Sequence, residues 1–157
     1  MENEKLENQI SVLNSLVEIN NDRIEGYQTA SDETTDPDLK RWFQALSHTS
    51  WECKEELESE ILRLGGTPDQ ETTASGKLFR VWMDFKAALT GKDRKAILSS
   101  CEQGEDVAVG AYEKALRDES LEVLSQEQTR MVYAQYQIIK SEHDQIRELR
   151  DVLVDFE

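Results

Sequence analysis

Glu102 and Glu105 stand at helical spacing among apolar residues. In ILSSCEQGEDVAVGAYEKAL, residues 97–116, Leu98, Glu102, Glu105, Val109, Tyr112 and Leu116 recur at steps of four and three, which is one stripe of a helix. An unpartnered buried carboxylate is costly. One on the apolar side of a helix therefore serves a metal, a proton transfer or a hydrogen-bonded partner.

The metal case has a stringent test. A ferritin-like di-iron centre needs an inward Glu from each of two helices and a Glu-x-x-His pair from each of the other two. The chain has two histidines, His48 with Ala45 three residues earlier and His143 with Lys140, so it has no Glu-x-x-His. Glu18, Asp22 and Glu25 project away from the apolar face of their helix, and His48 and Glu52 away from theirs. The inward polar residues are Asn20, Ser50, Glu105, Gln135 and Glu142, with Glu102 and His143 near the edges.

Counted from the turns, Asn20, Ser50, Glu105 and Gln135 fall at nearly one height. They predict a central polar layer in which Glu105 accepts hydrogen bonds from the other three. Glu142 falls near Tyr27 and is placed to accept its hydroxyl. The competing arrangement is a cation, iron or another divalent ion, held by Glu102, Glu105, Glu142 and His143. Other chemistry is thin: there is no Gly-rich phosphate loop and no GxSxG elbow. Cys53 and Cys101 read as buried, inert thiols of a reducing compartment. Tyr112, Tyr133 and Tyr136 read as core.

Four long helices must position these residues. The first is expected from Glu4 to Ser31, with Ile10, Leu13, Val17, Asn20, Ile24 and Tyr27 inward. Asp36 is an N-cap and Pro37 a first helical residue for the second, which runs to about Leu64 through Leu39, Trp42, Phe43, Leu46, Ser50, Cys53, Leu57 and Ile61. LGGTP ends it with a glycine cap. The third runs from Asp93 to Arg117. The fourth runs from Leu121 to Val154, with Leu124, Met131, Gln135, Ile138, Glu142, Leu149 and Val152 inward.

Tight turns after the first and third helices make two antiparallel hairpins. Between them, residues 65–92 carry a short amphipathic helix, GKLFRVWMDFKAAL, with Leu78, Trp82, Phe85 and Leu89 on one stripe. A segment of that length can traverse a bundle of roughly 40 Å at 1.5 Å per residue. The expected fold is all-α, a ferritin-like four-helix bundle with one long crossover, in a single domain over residues 1–157.

Composition agrees. With 38% hydrophobic and 32% charged residues, the chain suits amphipathic helices with solvated outer faces. A net charge of -15 argues against nucleic acid or an anionic membrane as partner, because phosphates would be repelled. MENEKLENQI has neither a basic n-region nor an apolar h-region, and no apolar run approaches the roughly 20 residues that span a bilayer. The expectation is a cytoplasmic protein. Lys77, Arg80, Lys86, Lys92, Arg94 and Lys95 form a basic island at the Trp-bearing crossover. Lys77, Arg80, Trp82, Lys92, Arg94 and Lys95 are its candidate interaction surface for a second copy or another protein.

The stretches LVEINNDRIEGYQTA, LGGTP, GKLFRVWMDFKAALTGKDRKAIL, CEQGEDVAVGAYEKAL and HDQIRELRD resemble a ferritin-like bacterial family of small four-helix bundles, named only as a domain of unknown function. The resemblance spans about Gln9 to Asp151. It implies the fold, a bacterial cytoplasmic setting and no established activity. The family's acidic block maps to Glu102, Glu105 and Asp106, and its fourth-helix histidine to His143.

The sequence therefore favours a non-catalytic structural or interaction protein with no cofactor, possessing a polar layer. The alternative is a divergent metal-binding protein, iron-sequestering or oxidase-like. For a purely structural layer, Glu105→Gln is expected to keep or raise stability, since an amide of similar shape replaces a buried charge. Trp82→Ala is expected to cost about 3 kcal/mol in urea unfolding if the crossover stripe packs on the core. A loss well under about 1 kcal/mol would show Trp82 to be exposed.

Overall fold

The structure is a computed structural model that describes residues 2–71, 94–117 and 122–156, the last four of these by backbone only. Four helices stand in the described residues: α1, Glu2–Glu33; α2, Pro37–Arg63; α3, Arg94–Ala115; and α4, Gln126–Phe156. No strand occurs among the described residues. None of the described helices is long and apolar enough to cross a membrane. The amphipathic segment expected around Trp82 lies outside the described residues.

Local chemistry sets the ends. Asp36 is in extended conformation and its Oδ1 accepts from the amides of Asp38 (2.9 Å) and Leu39 (3.2 Å), while Pro37 needs no partner for a missing N–H. At the far end of α2, Gly65 adopts φ 86°. Its amide donates to the Leu62 carbonyl (3.0 Å) and that of Gly66 to the Ile61 carbonyl (2.9 Å), the paired bonds of a Schellman cap. Gly66 is also a close approach, since a Cβ there would stand 2.8 Å from Ile10 Cδ1.

α4 starts later than the sequence suggests. Ser125 and Gln128 form a capping box, Ser125 N to Gln128 Oε1 at 2.9 Å and Gln128 N to Ser125 Oγ at 3.1 Å. This fixes the start at Gln126 rather than near Leu121. The link after α3 is accordingly longer than a tight turn.

Pairings between helices give the directions. Asn20 meets Tyr112 and Tyr27 meets Glu105, so α1 and α3 are antiparallel, and Gln9 meets Val123 in the link beyond the end of α3. Glu60 meets Gln128, Cys53 meets Gln135 and Thr49 meets Glu142, so α2 and α4 are antiparallel as well. Since α1 and α2 form an antiparallel hairpin, α2 and α3 run the same way. The described start of their connection already turns back along α1. Asn14 Nδ2 holds the Thr67 carbonyl (3.1 Å), and Asn21 Nδ2 holds those of Asp69 (3.4 Å) and Glu71 (3.0 Å).

Two apolar clusters fill the interior. One holds Leu13, Leu16, Val17, Leu57, Ile61, Tyr112, Val132 and Ile139; the other holds Tyr27, Ala30, Leu39, Phe43, Leu46, Ile97, Cys101 and Ile146. The inner face of α4 differs from expectation. Gln128, Val132, Gln135, Ile139, His143 and Ile146 are buried, whereas Ile138, Leu149 and Val152 are 51%, 45% and 49% exposed. Both stripes carry aliphatic residues, and the one that packs inward, through Val132, Ile139 and Ile146, lies about a residue further along and also carries the buried polar Gln128, Gln135 and His143.

The returning loop supplies a pH-sensitive contact. Burial first, then the hydrogen bond and charge of Asp69 and the charges of Asp22 and Glu71, push the Glu18 carboxyl from 4.5 up to about 6. Between those values the folded chain binds more protons here than the unfolded chain. The contribution to stability is thus complete below about pH 4.5 and is lost as pH rises through about 6. Glu18→Gln is expected to flatten this part of the stability profile in urea titrations between pH 4.5 and 7; an unchanged slope would assign it to other groups.

Candidate functional site

Between the two apolar clusters lies a polar core built around Arg23. Its side chain, carried by α1, is 5% exposed, and each of the other three helices meets it. Nη1 donates to Ser50 Oγ on α2 at 2.6 Å. Nε and Nη2 donate to Glu105 Oε1 on α3 at 3.2 and 2.8 Å. Nη2 also donates to Glu142 Oε1 on α4 at 2.9 Å. Tyr27, one turn along α1, donates its hydroxyl to Glu105 Oε1, and Thr49 Oγ1 donates to Glu142 Oε2 at 2.7 Å.

The electrostatics are those of a guarded ion cluster. Burial by itself would push the Arg23 guanidinium down, but the charges of Glu105 and Glu142 and the bond to Glu105 hold it above its ordinary value. Burial, and then the charge of Glu105, pushes the Tyr27 phenol well up. Burial also raises the Glu142 carboxyl, outweighing the opposite pull of Arg23.

A second level lies on the side of the first cluster. Asn20 Nδ2 donates to Tyr112 Oη at 2.9 Å and to the Leu16 carbonyl at 2.8 Å. Tyr112 donates to Gln135 Oε1 at 2.6 Å, and Gln135 Nε2 donates to the Cys53 carbonyl at 3.1 Å. Asn20, Ser50, Glu105 and Gln135 are thus all buried, but they do not form one network. Glu105 accepts from Arg23 and Tyr27, not from Asn20, Ser50 and Gln135, because the guanidinium reaches it first. Glu142 accepts from Arg23 and Thr49 rather than from Tyr27. Two buried oxygens, Asn20 Oδ1 and Glu105 Oε2, find no hydrogen-bond partner among the described residues.

The four residues of the expected metal set are divided. Glu105 and Glu142 share Arg23, whereas Glu102 and His143 lie on the outer seam between α3 and α4. There Glu102 pairs with Arg150. His143, 6% exposed, faces Asp106 Oδ1 through Nε2 at 2.6 Å and Asp144 Oδ1 through Nδ1 at 3.0 Å. His48 and Glu52 pair on the surface, as their outward position requires.

Of the basic island and its interaction surface, Lys77, Arg80, Trp82, Lys86 and Lys92 lie outside the described residues. Arg94 is exposed and stands 3.5 Å from Asp36, while Lys95 is half-buried. The thiols are poor nucleophiles: burial pushes Cys53 up to about 12 and Cys101 well above its ordinary value.

Sequence reasoning missed Arg23. The available signal was spacing: it stands three residues after Asn20 and four before Tyr27, on the same inward stripe. Two inward carboxylates, Glu105 and Glu142, also demanded a cation.

Residues 8–118 match the family model described as Domain of unknown function (DUF2383). No curated protein matches the chain. The matched residues include Arg23, Tyr27, Ser50 and Glu105, and stop short of α4.

Arg23 reverses the expected effect of Glu105→Gln. The amide would leave a buried guanidinium with Glu142 alone, and a loss of about 1–3 kcal/mol is expected. Arg23→Met, which strands both carboxylates, is expected to lose about 3–5 kcal/mol. The double variant should lose less than the sum of the two, since they share one interaction. Urea unfolding of the three variants checks this, and strict additivity would show that the pair does not interact.

Proposed function

Taking as premise that this chain belongs to the family described as a domain of unknown function (DUF2383), we propose that it is a non-catalytic bundle protein with a structural or interaction role. The observation that carries this reading is Arg23. A guanidinium cannot be deprotonated or displaced as water can, and it stands between Glu105 and Glu142 where a metal-loaded bundle would hold its ion. The carboxylates of the bundle centre are therefore ligands to a built-in cation. The raised thiols of Cys53 and Cys101 leave no activated nucleophile in the described core.

The interaction part rests on α4, which leaves Ile138, Leu149 and Val152 about half exposed at spacings of eleven and three, one helical stripe. The partner is a second copy or another protein. Ferritin-like connectivity belongs to the same proposal. It is supported by the parallel directions of α2 and α3, which require a return connection the length of the bundle. A bacterial cytoplasmic setting also belongs to it, with two free buried cysteines in its favour.

Aerobic Fe(II) oxidation tests the reading. The purified protein is expected to leave the rate at that of buffer alone, and Glu105→Gln and Glu142→Gln to leave it there too. Saturable oxidation lost in those variants would overturn a non-catalytic core.

A further inference from the structure

Glu102 and Asp106 are four residues apart on α3, so both reach the same side of the helix toward α4. His143 meets them from α4, and one ligand atom from each of the three lies within 4.8 Å of the others. The histidine is held in a particular way. Nδ1 faces Asp144 Oδ1 at 3.0 Å and Nε2 faces Asp106 Oδ1 at 2.6 Å. An ionised carboxylate oxygen only accepts, so each of these contacts needs a proton on the ring nitrogen, and a metal at Nε2 takes the place of one of them.

With its proton on Nδ1 and donated to Asp144, His143 presents a bare Nε2 lone pair to Glu102 and Asp106. A carboxylate behind a histidine, fixing its tautomer and ring plane, is the usual support of a metal-ligating imidazole. The ring is buried, whereas the Asp106 side chain is 61% exposed and opens the cluster to solvent.

We propose that Glu102, Asp106 and His143 form a divalent transition-metal site on the α3–α4 seam, with Asp144 as the residue that orients His143. One nitrogen and two carboxylate donors suit zinc and its first-row neighbours better than magnesium or calcium, which favour oxygen alone. Donors held near 2.1 Å by one tetrahedral ion stand about 3.4 Å apart. His143 Nε2 and Asp106 Oδ1, now at 2.6 Å, must therefore part by somewhat under about 1 Å, while the wider contacts of the set, within 4.8 Å, close by about as much or a little more. Arg150, which pairs with Glu102 and with Asp151, is the resident competitor and must release Glu102 when the ion enters. Solvent water completes the coordination, so the site does not require a partner chain. It is separate from the Arg23 cluster, and Glu105 and Glu142 take no part in it.

Zinc titration by calorimetry on metal-free protein, in excess Mg2+, tests the assignment, with cobalt(II) absorption reporting geometry. The expected result is one zinc per chain, binding abolished in H143A, and affinity at least tenfold weaker in D144N. R150Q is expected to bind more tightly than the parent, and E105Q to bind as the parent does. Asp106→Asn serves beside H143A as a ligand deletion that leaves the buried ring in place, with thermal unfolding checking that each variant is folded.

No zinc binding beyond what Mg2+ displaces would overturn the site and leave the seam as a hydrogen-bonded cluster of His143 with Asp106 and Asp144. Equal binding in parent, H143A and D106N would overturn it as well. Loss of binding in E105Q rather than in H143A would move the ion to the bundle centre. That result would contradict the non-catalytic core as well as this site, whereas zinc on the seam leaves that core untouched.

Discussion

A guanidinium in the middle of four helices is tolerable only if its donors are met and its charge is answered. Arg23 imposes that condition on every other element. Ser50 must come from α2, Glu105 from α3 and Glu142 from α4, all within hydrogen-bond reach of one planar group. Sliding any helix by one residue, about 1.5 Å, would break its bond. Apolar clusters above and below tolerate such slips far better, because dispersion has little directionality. The ion cluster thus acts as a register pin, a role that buried polar groups have in other helical assemblies.

The same cluster explains how the interior divides. On one side Asn20, Tyr112 and Gln135 relay hydrogen bonds to the α2 backbone. On the other, Tyr27 stacks on Phe43 at 5.8 Å and hands its hydroxyl to Glu105. Each of the two tyrosines, Tyr27 and Tyr112, is therefore apolar in body and polar at its tip, and it joins the polar level to an apolar cluster. Glu142 is the less buried of the two acids that share one guanidinium, and burial raises its carboxyl.

Charge outside the core follows another logic. Surface pairs such as Arg41–Asp38 and His48–Glu52 are exposed and hold little energy. The seam between α3 and α4 is intermediate. His143 is buried while its carboxylate partners reach solvent. That seam and the Arg23 cage use adjacent residues, Asp106 and Glu105, which point about 100° apart around α3.

Much of this was legible in the sequence. Helical periodicity marked four long helices, Asp36–Pro37 and the Gly65–Gly66 pair marked the ends of α2, and the stripe through Glu105 marked a buried carboxylate. These are local facts, set by capping chemistry and by a period of 3.6 residues, and they need no knowledge of neighbours. Which of two apolar stripes on α4 turned inward was not local. Val132, Ile139 and Ile146 compete with Ile138, Leu149 and Val152 on nearly equal terms, and only the surfaces of α2 and α3 choose. The partner of Glu105 was not local either. Arg23 is 82 residues away in the chain, and an arginine on a helix reads as surface until two inward acids from other helices surround it. The sequence by itself determined where the helices lie and that Glu105 faces inward. The tertiary structure decided what answers its charge, because that depends on the meeting of side chains from four separate helices.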